Sequence, residues 1–215
     1  MSAVILGDFV NTGSLPTMFN YRLNRGRSDF DVSKTLGANF SYALPEWQGG
    51  RVAGLAAGWE LQGVLQAQAG PPFNPTVGFD RARPGGGGPS DGSQRPTYAE
   101  LPGDRVILGD PQRWFDPTFF ALPPAGMYGN LGRNVLDGPG LVTMDLAVHK
   151  ALWRTDRHSL RLRVGAFNVA NHPNFQTPSA LRLFTSSLGR AGSAGRITET
   201  TTTSRQVQLA LKWMF

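Results

Sequence analysis

Apolar and polar residues alternate one by one along five stretches of this chain. A side-chain period of two is the signature of a β-strand with unlike faces. In 30–44, Phe30, Val32, Leu36, Ala38, Phe40, Tyr42 and Leu44 share one face, and Asp31, Ser33, Thr35, Asn39 and Ser41 share the other. Lys34 is the one charge on the apolar side, near the strand start, where its stem can snorkel to an interface. In 53–69, Leu55, Ala57, Trp59, Leu61, Leu65 and Ala67 oppose Glu60, Gln62, Gln66 and Gln68, with Val64 among the polar set. The stretch 142–151 sets Val142, Met144, Leu146 and Val148 against Thr143, Asp145 and His149. The stretch 158–170 sets Leu160, Leu162, Val164 and Ala166 against Arg161 and Arg163. The last stretch, 204–215, places Val207, Leu209, Leu211, Trp213 and Phe215 on alternate positions, with Gln206, Gln208 and Lys212 between them. Such strands suit a soluble sheet with one buried face. They equally suit a barrel that shows one face to lipid and the other to a lumen. Periodicity does not separate the two.

Connection lengths add what periodicity lacks. From strand to strand they run short, long, short, long: 45–52, 70–140, 152–157 and 171–203. Antiparallel up-and-down strands collect the short turns on one side and the long loops on the other, the asymmetry of an outer-membrane barrel. By parity the C-terminus falls on the short-turn side. Trp47, Trp153 and Trp213 then land on that same rim, as expected of an aromatic girdle at a membrane–water interface. The predicted strands exceed the ~5–6 residues usual in soluble sheets and reach the ~9–11 that span a bilayer obliquely.

Composition fits this picture. Only 17% of residues are charged, below the roughly 25% of soluble domains. The 27 glycines and 16 prolines supply turns and loops. No window approaches the ~18 apolar residues of a spanning helix. The mean hydropathy of −0.24 is compatible with a barrel, whose alternation dilutes its apolar residues. The first residues, MSAVILGDFVNTGSLP, lack the charged and apolar regions of a signal peptide, so an outer-membrane reading makes this chain a C-terminal piece of something longer.

Candidate chemistry is sparse. Cysteine is absent, which removes disulfides, thiolate metal sites and Cys nucleophiles. The net charge of +6 comes from scattered arginines without a basic run, so no nucleic-acid partner is expected. The glycine run after Arg83 is followed by no Gly-Lys-Ser/Thr and is not a phosphate loop. Within 70–140, Trp114, Phe115, Phe119 and Phe120 are expected to pack part of the loop down. His149, His158 and His172 lack metal-ligand spacing; His149 and His158 flank a turn and could approach, but turn and loop roles fit all three better. Ser14 and Ser90 lack a nucleophile elbow. We therefore expect no enzyme, no metal and no cofactor. The candidate lumen-facing residues are Glu60, Gln62, Gln66, Gln68, Asp145, Arg161 and Arg163, with Asp145 pairing with Arg161 or Arg163 across strands.

Several stretches carry a family resemblance: RSDFDVSKTLGANFSYALP (27–45), GWELQGVLQAQAGPPFNP (58–75), WFDPTFFALPPAGMYGNLGRNVLDGPG (114–140), LRLRVGAFNVANHPNF (160–175) and RQVQLALKWMF (205–215). In this order they resemble the C-terminal barrel region of Oar-like TonB-dependent outer-membrane receptors of Gram-negative bacteria. The end of the chain, Val207, Leu209, Leu211, Trp213 and the terminal Phe215, resembles the C-terminal signal read by the barrel-assembly machinery. The resemblance implies an all-β fold: antiparallel up-and-down strands forming a partial transmembrane β-barrel, the C-terminal part of a 22-stranded one, with long extracellular loops at 70–140 and 171–203. It also implies outer-membrane lipid as surroundings, uptake or binding of an unidentified ligand only within the full-length receptor, and coupling to the TonB complex through N-terminal parts that these residues do not match. The competing reading is a secreted or periplasmic all-β module that binds a ligand or glycan, with the apolar faces of its sheets packed together.

Overall fold

The computed structural model describes residues 22, 25–45, 57–82, 94–99 and 105–215. Its strands are β1 (Thr35–Ala43), β2 (Trp59–Gln68), β3 (Pro72–Phe73), β4 (Thr97–Tyr98), β5 (Ile107–Asp110), β6 (Arg113–Phe115), β7 (Phe120–Ala121), β8 (Leu136–Asp137), β9 (Leu141–Arg154), β10 (Ser159–Phe167) and β11 (Gln206–Met214). The described residues contain no α-helix, and a 3-10 turn lies at Pro117–Phe119. The chain forms two compact units, one holding the five long strands and the other built from the long connections.

In the first unit the strands lie in the order β1-β2-β9-β10-β11, every pair antiparallel, so each long strand neighbours the next one in sequence. This is the expected up-and-down meander. Register carries the alternation across the whole sheet. One row runs Phe40, Gly63, Leu146, Ala166, Val207, and the next runs Tyr42, Leu61, Val148, Val164, Leu209. Gly63 has a reason to lack a side chain: the Phe40 ring and Leu146 occupy the space a Cβ would take. A large ring covering a cross-strand glycine restores the contact that the glycine cannot make.

The strand bounds reflect local backbone chemistry. The first strand starts at Thr35 rather than Phe30, because the chain turns at Ser28–Asp31, where the Asp31 N–H donates to the Ser28 carbonyl at 3.1 Å. Lys34 thus precedes the strand instead of lying on its apolar face. The second starts at Trp59, after Gly58 at φ 74°. The fourth long strand stops at Phe167, because Asn168 takes φ 46° and leaves the extended region.

The largest departure lies in β9, predicted to end at Ala151 before a turn at 152–157. It continues to Arg154. The register slips between Leu160 and Arg161: Arg161 faces Ala151 while Leu160 faces Trp153, leaving Leu152 as an extra residue. This bulge reverses the parity of the residues after it. Without it Trp153 would fall on the polar face. With it, Trp153 joins the row of Leu160 and Trp213. A tight turn comes next, closed by the Thr155 N–H donating to the His158 carbonyl at 2.7 Å.

The second unit changes the meaning of the two long loops. Segments from 69–139 and 175–199 belong to one compact body. Phe115, Phe119 and Phe120 are its buried centre, as the sequence predicts, joined by Phe73, Val77, Leu131 and Leu136. Trp114 packs at the margin and its indole N–H donates to the Asp137 carbonyl at 2.9 Å. The later connection adds Leu183, Phe184 and Ala194 to the same core. Backbone bonds knit the two: Thr76 N–H to the Leu181 carbonyl at 2.8 Å, Leu183 N–H to the Thr76 carbonyl at 2.9 Å, Ile197 N–H to the Pro111 carbonyl at 2.8 Å. Gly195, at φ 82°, sits where a Cβ would be 3.2 Å from the Phe115 ring. Each buried Phe contributes about 1.5–3 kcal/mol by leaving water. That is enough to order connections that have little regular structure.

Candidate functional site: the two faces of the sheet

The sheet's apolar face is uncovered. Val207, Leu209, Leu211 and Trp213 are 64–72% exposed, and Leu36, Phe40 and Tyr42 are about half exposed. A soluble sheet would bury such a face at a gain of about 25 cal/mol per Å². The competing module, with apolar faces packed together, therefore does not describe this sheet. Strands of 9, 10, 14, 9 and 9 residues match the oblique span of a bilayer.

The opposite face gathers all the predicted polar candidates. Gln62 lies opposite Ala147, Gln66 opposite Thr143, Gln68 opposite Leu141, and Asp145 opposite Val64. Glu60 lies opposite His149, which is itself opposite Arg163. The Glu60 carboxylate accepts from the Ser41 hydroxyl at 2.6 Å and from the Gln62 amide at 2.8 Å. The predicted pairing of Asp145 with Arg161 or Arg163 does not form. Register places Arg163 beside His149, four residues along β9 from Asp145, or about 13 Å. Asp145 instead accepts the Asn168 N–H at 2.8 Å.

That contact belongs to a network that explains the Phe-Asn-x-x-Asn-His-Pro-Asn-Phe stretch. Asn168 and Asn171 take positive φ where β10 ends, a conformation asparagine tolerates. The Asn168 amide donates to the His172 and Thr203 carbonyls, each at 3.1 Å. Asn171 accepts from the Arg205 N–H at 2.9 Å, at the entry to β11. The fully buried Asn174 accepts from the Val142 N–H at 2.7 Å and donates back to the Val142 carbonyl at 3.0 Å. Asparagine side chains thus satisfy the backbone where the strands stop. Nothing in the alternation pattern reports this.

The Gly-Asn-Leu-Gly-Arg-Asn stretch does a similar service in the loop unit. Asn134, buried at φ 54°, exchanges bonds with Asn74 and donates to the Arg27 carbonyl and the Asp29 carboxylate. Arg133 pairs with Asp29 at 3.1 Å. At Gly129 the Pro96 and Arg95 carbonyls leave no room for a Cβ. Beside this segment lies an open pocket of about 700 Å³, lined by Val106, Ile107, Leu131, Val135 and Leu136 together with polar residues such as Asn130 and Asp137. Elsewhere in the unit Asp116 caps the 3-10 turn. Burial alone would raise its carboxyl, but bonds from the Thr118 N–H and hydroxyl and from Arg113 outweigh that and hold it below the ordinary carboxylate range.

The short-turn end of the sheet carries aromatic residues. Trp153 stacks on His158 with centroids 6.3 Å apart and planes 8° from parallel, and His158 meets Trp213 edge-on at 6.3 Å. Trp47 lies outside the described residues. Trp59, which sequence reasoning did not assign to this rim, opposes Lys150 at the same end. Lys150 was also missed. It occupies the apolar row of Leu162 and Leu211. Its ammonium lies 5.4 Å from the centre of the Trp59 indole and donates to the Ala57 carbonyl, so the charge is partnered although the residue is buried. His149 is on the polar face, His158 is among the tryptophans, and His172 contacts Asn174 at 3.2 Å. Phe215 comes after β11 and is 97% exposed.

Comparison with known proteins agrees with this geometry. The chain matches the family described as outer membrane beta barrel domain over residues 6–208. No match was found among curated proteins or among solved structures. The match spans most of the chain, and an uncovered apolar face on membrane-length antiparallel strands is what that family requires. This chain belongs to the outer membrane beta barrel domain family, and its place is the outer membrane.

Proposed function

We propose that the chain serves as a barrel segment of a TonB-dependent, Oar-like receptor that binds or imports a ligand as part of the full-length protein. The apolar face meets outer-membrane lipid, the polar face lines the lumen, and the short-turn end with Trp153 and Trp213 is the periplasmic rim. The observation that carries the reading is the behaviour of the two long connections. They fold into a single body with its own core. Loops that only join strands need no shared core. A preformed body suits ligand capture, and the open pocket of about 700 Å³ is of the size that small molecules fill.

The terminal strand, from Val207 to Phe215, serves as the segment that the barrel-assembly machinery reads. Energy for transport comes from the TonB complex acting on other parts of the receptor. No catalytic step is assigned to any residue, and no metal, cofactor or nucleic acid enters the reading. The test is uptake or surface binding by cells carrying the full-length gene, with and without a functional TonB complex. The expected result is loss of ligand accumulation, with surface binding retained, when TonB is removed. Accumulation that ignores TonB would refute the receptor assignment while leaving the family membership intact.

A further inference from the structure

The polar face places three cations where a sheet should avoid them. Arg161 on β10 lies directly opposite Lys212 on β11, and Arg163 is the next residue on the same face of β10. Directly opposed side chains have Cβ atoms about 4.5–5.5 Å apart, and diagonal ones about 7–8 Å apart. Like charges in that position destabilise a strand pair. All three side chains are exposed, and none joins an ion pair among the described residues, where the pairs are Arg27–Asp137, Arg113–Asp116 and Arg133–Asp29. The acids on this face are engaged elsewhere. Glu60 lines one hollow with His149 and Arg161 and is the one acid near Arg161 among the described residues, but it forms no ion pair with it and already accepts from Ser41 and Gln62. Asp145 is held by the Asn168 N–H. Beside Arg163, His149 keeps a buried Nε2 with no hydrogen-bond partner.

The geometry points to an anion-binding site on the polar face, formed by Arg161, Arg163 and Lys212, for a compact polyanion carrying two or more phosphate groups. The three cations form a triangle on two strands rather than a line. A triangle converges on one compact multivalent group, whereas an extended acidic segment would meet its cations in file. Two of the three are arginines, whose planar forks bind phosphate oxygens in pairs. The bound anion removes the repulsion between Arg161 and Lys212, so binding and sheet stability are linked. The site rests on the proposed reading of this face as the lumen wall, and it names the ligand class that wall would pass or hold.

The test uses the full-length protein that carries this segment, refolded into lipid vesicles, with tripolyphosphate as the probe. Membrane insertion is read separately, by a heat-modifiable gel band and protection from added protease. Titration calorimetry and melting temperature are then compared for the wild type, Arg161→Gln, Lys212→Gln and the double variant. The expected result is binding by the wild type that weakens roughly tenfold for each cation removed. Tripolyphosphate should raise the melting temperature of the wild type and not that of the double variant. Without the anion, Lys212→Gln should melt at or above the wild type, because it relieves a like-charge pair. If inserted wild type ignores tripolyphosphate, or the double variant binds it equally, the site is refuted while the barrel reading stands. Binding of an oligoglutamate peptide in place of tripolyphosphate would likewise overturn it. Failure of the wild type to insert would overturn the lumen wall and the site together.

Discussion

Leu209→Arg separates a lipid-facing sheet from a water-facing one. Leu209 lies in the row Tyr42, Leu61, Val148, Val164, and is 72% exposed. It is four residues from Trp213, about 13 Å along the strand. With a tilt near 40° that projects to about 10 Å from the aromatic rim, close to the middle of an apolar band about 25 Å tall. An arginine on the lipid face at that depth costs about 2–4 kcal/mol. The folded-to-unfolded ratio should therefore fall by about 30- to 700-fold. In water the same change at an exposed position would cost within about 0.5 kcal/mol. The control is Gln208→Arg, one residue away on the opposite face. Folding of the full-length protein into lipid vesicles is followed by the heat-modifiable band across a urea series. The expected outcome is a large loss for Leu209→Arg and little for Gln208→Arg. Equal effects of the two variants, or a larger effect at Gln208, would refute the assignment of faces.

The same geometry sets further outcomes. Phe115→Ala removes the ring shared by both long connections and should cost about 3–5 kcal/mol in the loop unit, seen as faster proteolysis between 105 and 199 with the sheet still inserted. Asn168→Gly keeps the positive φ but loses the bonds to His172 and Thr203, so it should cost about 1–3 kcal/mol, measured as a lower urea midpoint; Asn168→Ala should cost more, since alanine resists that φ. Asp116 has a native pKa below its unfolded value, so its stabilisation is complete above about pH 4 and disappears as pH falls through the lower native value. Melting curves of wild type and Asp116→Asn should differ by a constant amount at neutral pH and converge on acidification. Deleting Leu152 should remove the bulge yet leave Trp153 directly after Ala151 and still opposite Leu160 on the apolar face, so quenching of its fluorescence by a lipid-phase quencher should persist.

Much of this protein is legible without coordinates. Alternation at period two is a local property, so residue spacing and loop length already define the five long strands, their faces and their up-and-down order. The family match and the uncovered apolar face agree with that. Four features needed the tertiary structure. The Leu152 bulge was invisible because one extra residue in a strand leaves no mark in composition, yet it decides which face Trp153 joins. The Asp145 pairing was misread because charges on one face need not share a row; register, set by β2 and β10 on either side, decides which residues meet. The placing of Arg161 directly opposite Lys212 was hidden for the same reason, since those residues lie on strands separated by a long connection. The loops looked irregular because their order comes from a core assembled across distant segments: Phe73, Phe115 and Leu183 touch only after folding. Local spacing determines what each strand presents. Pairing across the sheet and packing between remote segments determine which of those side chains meet.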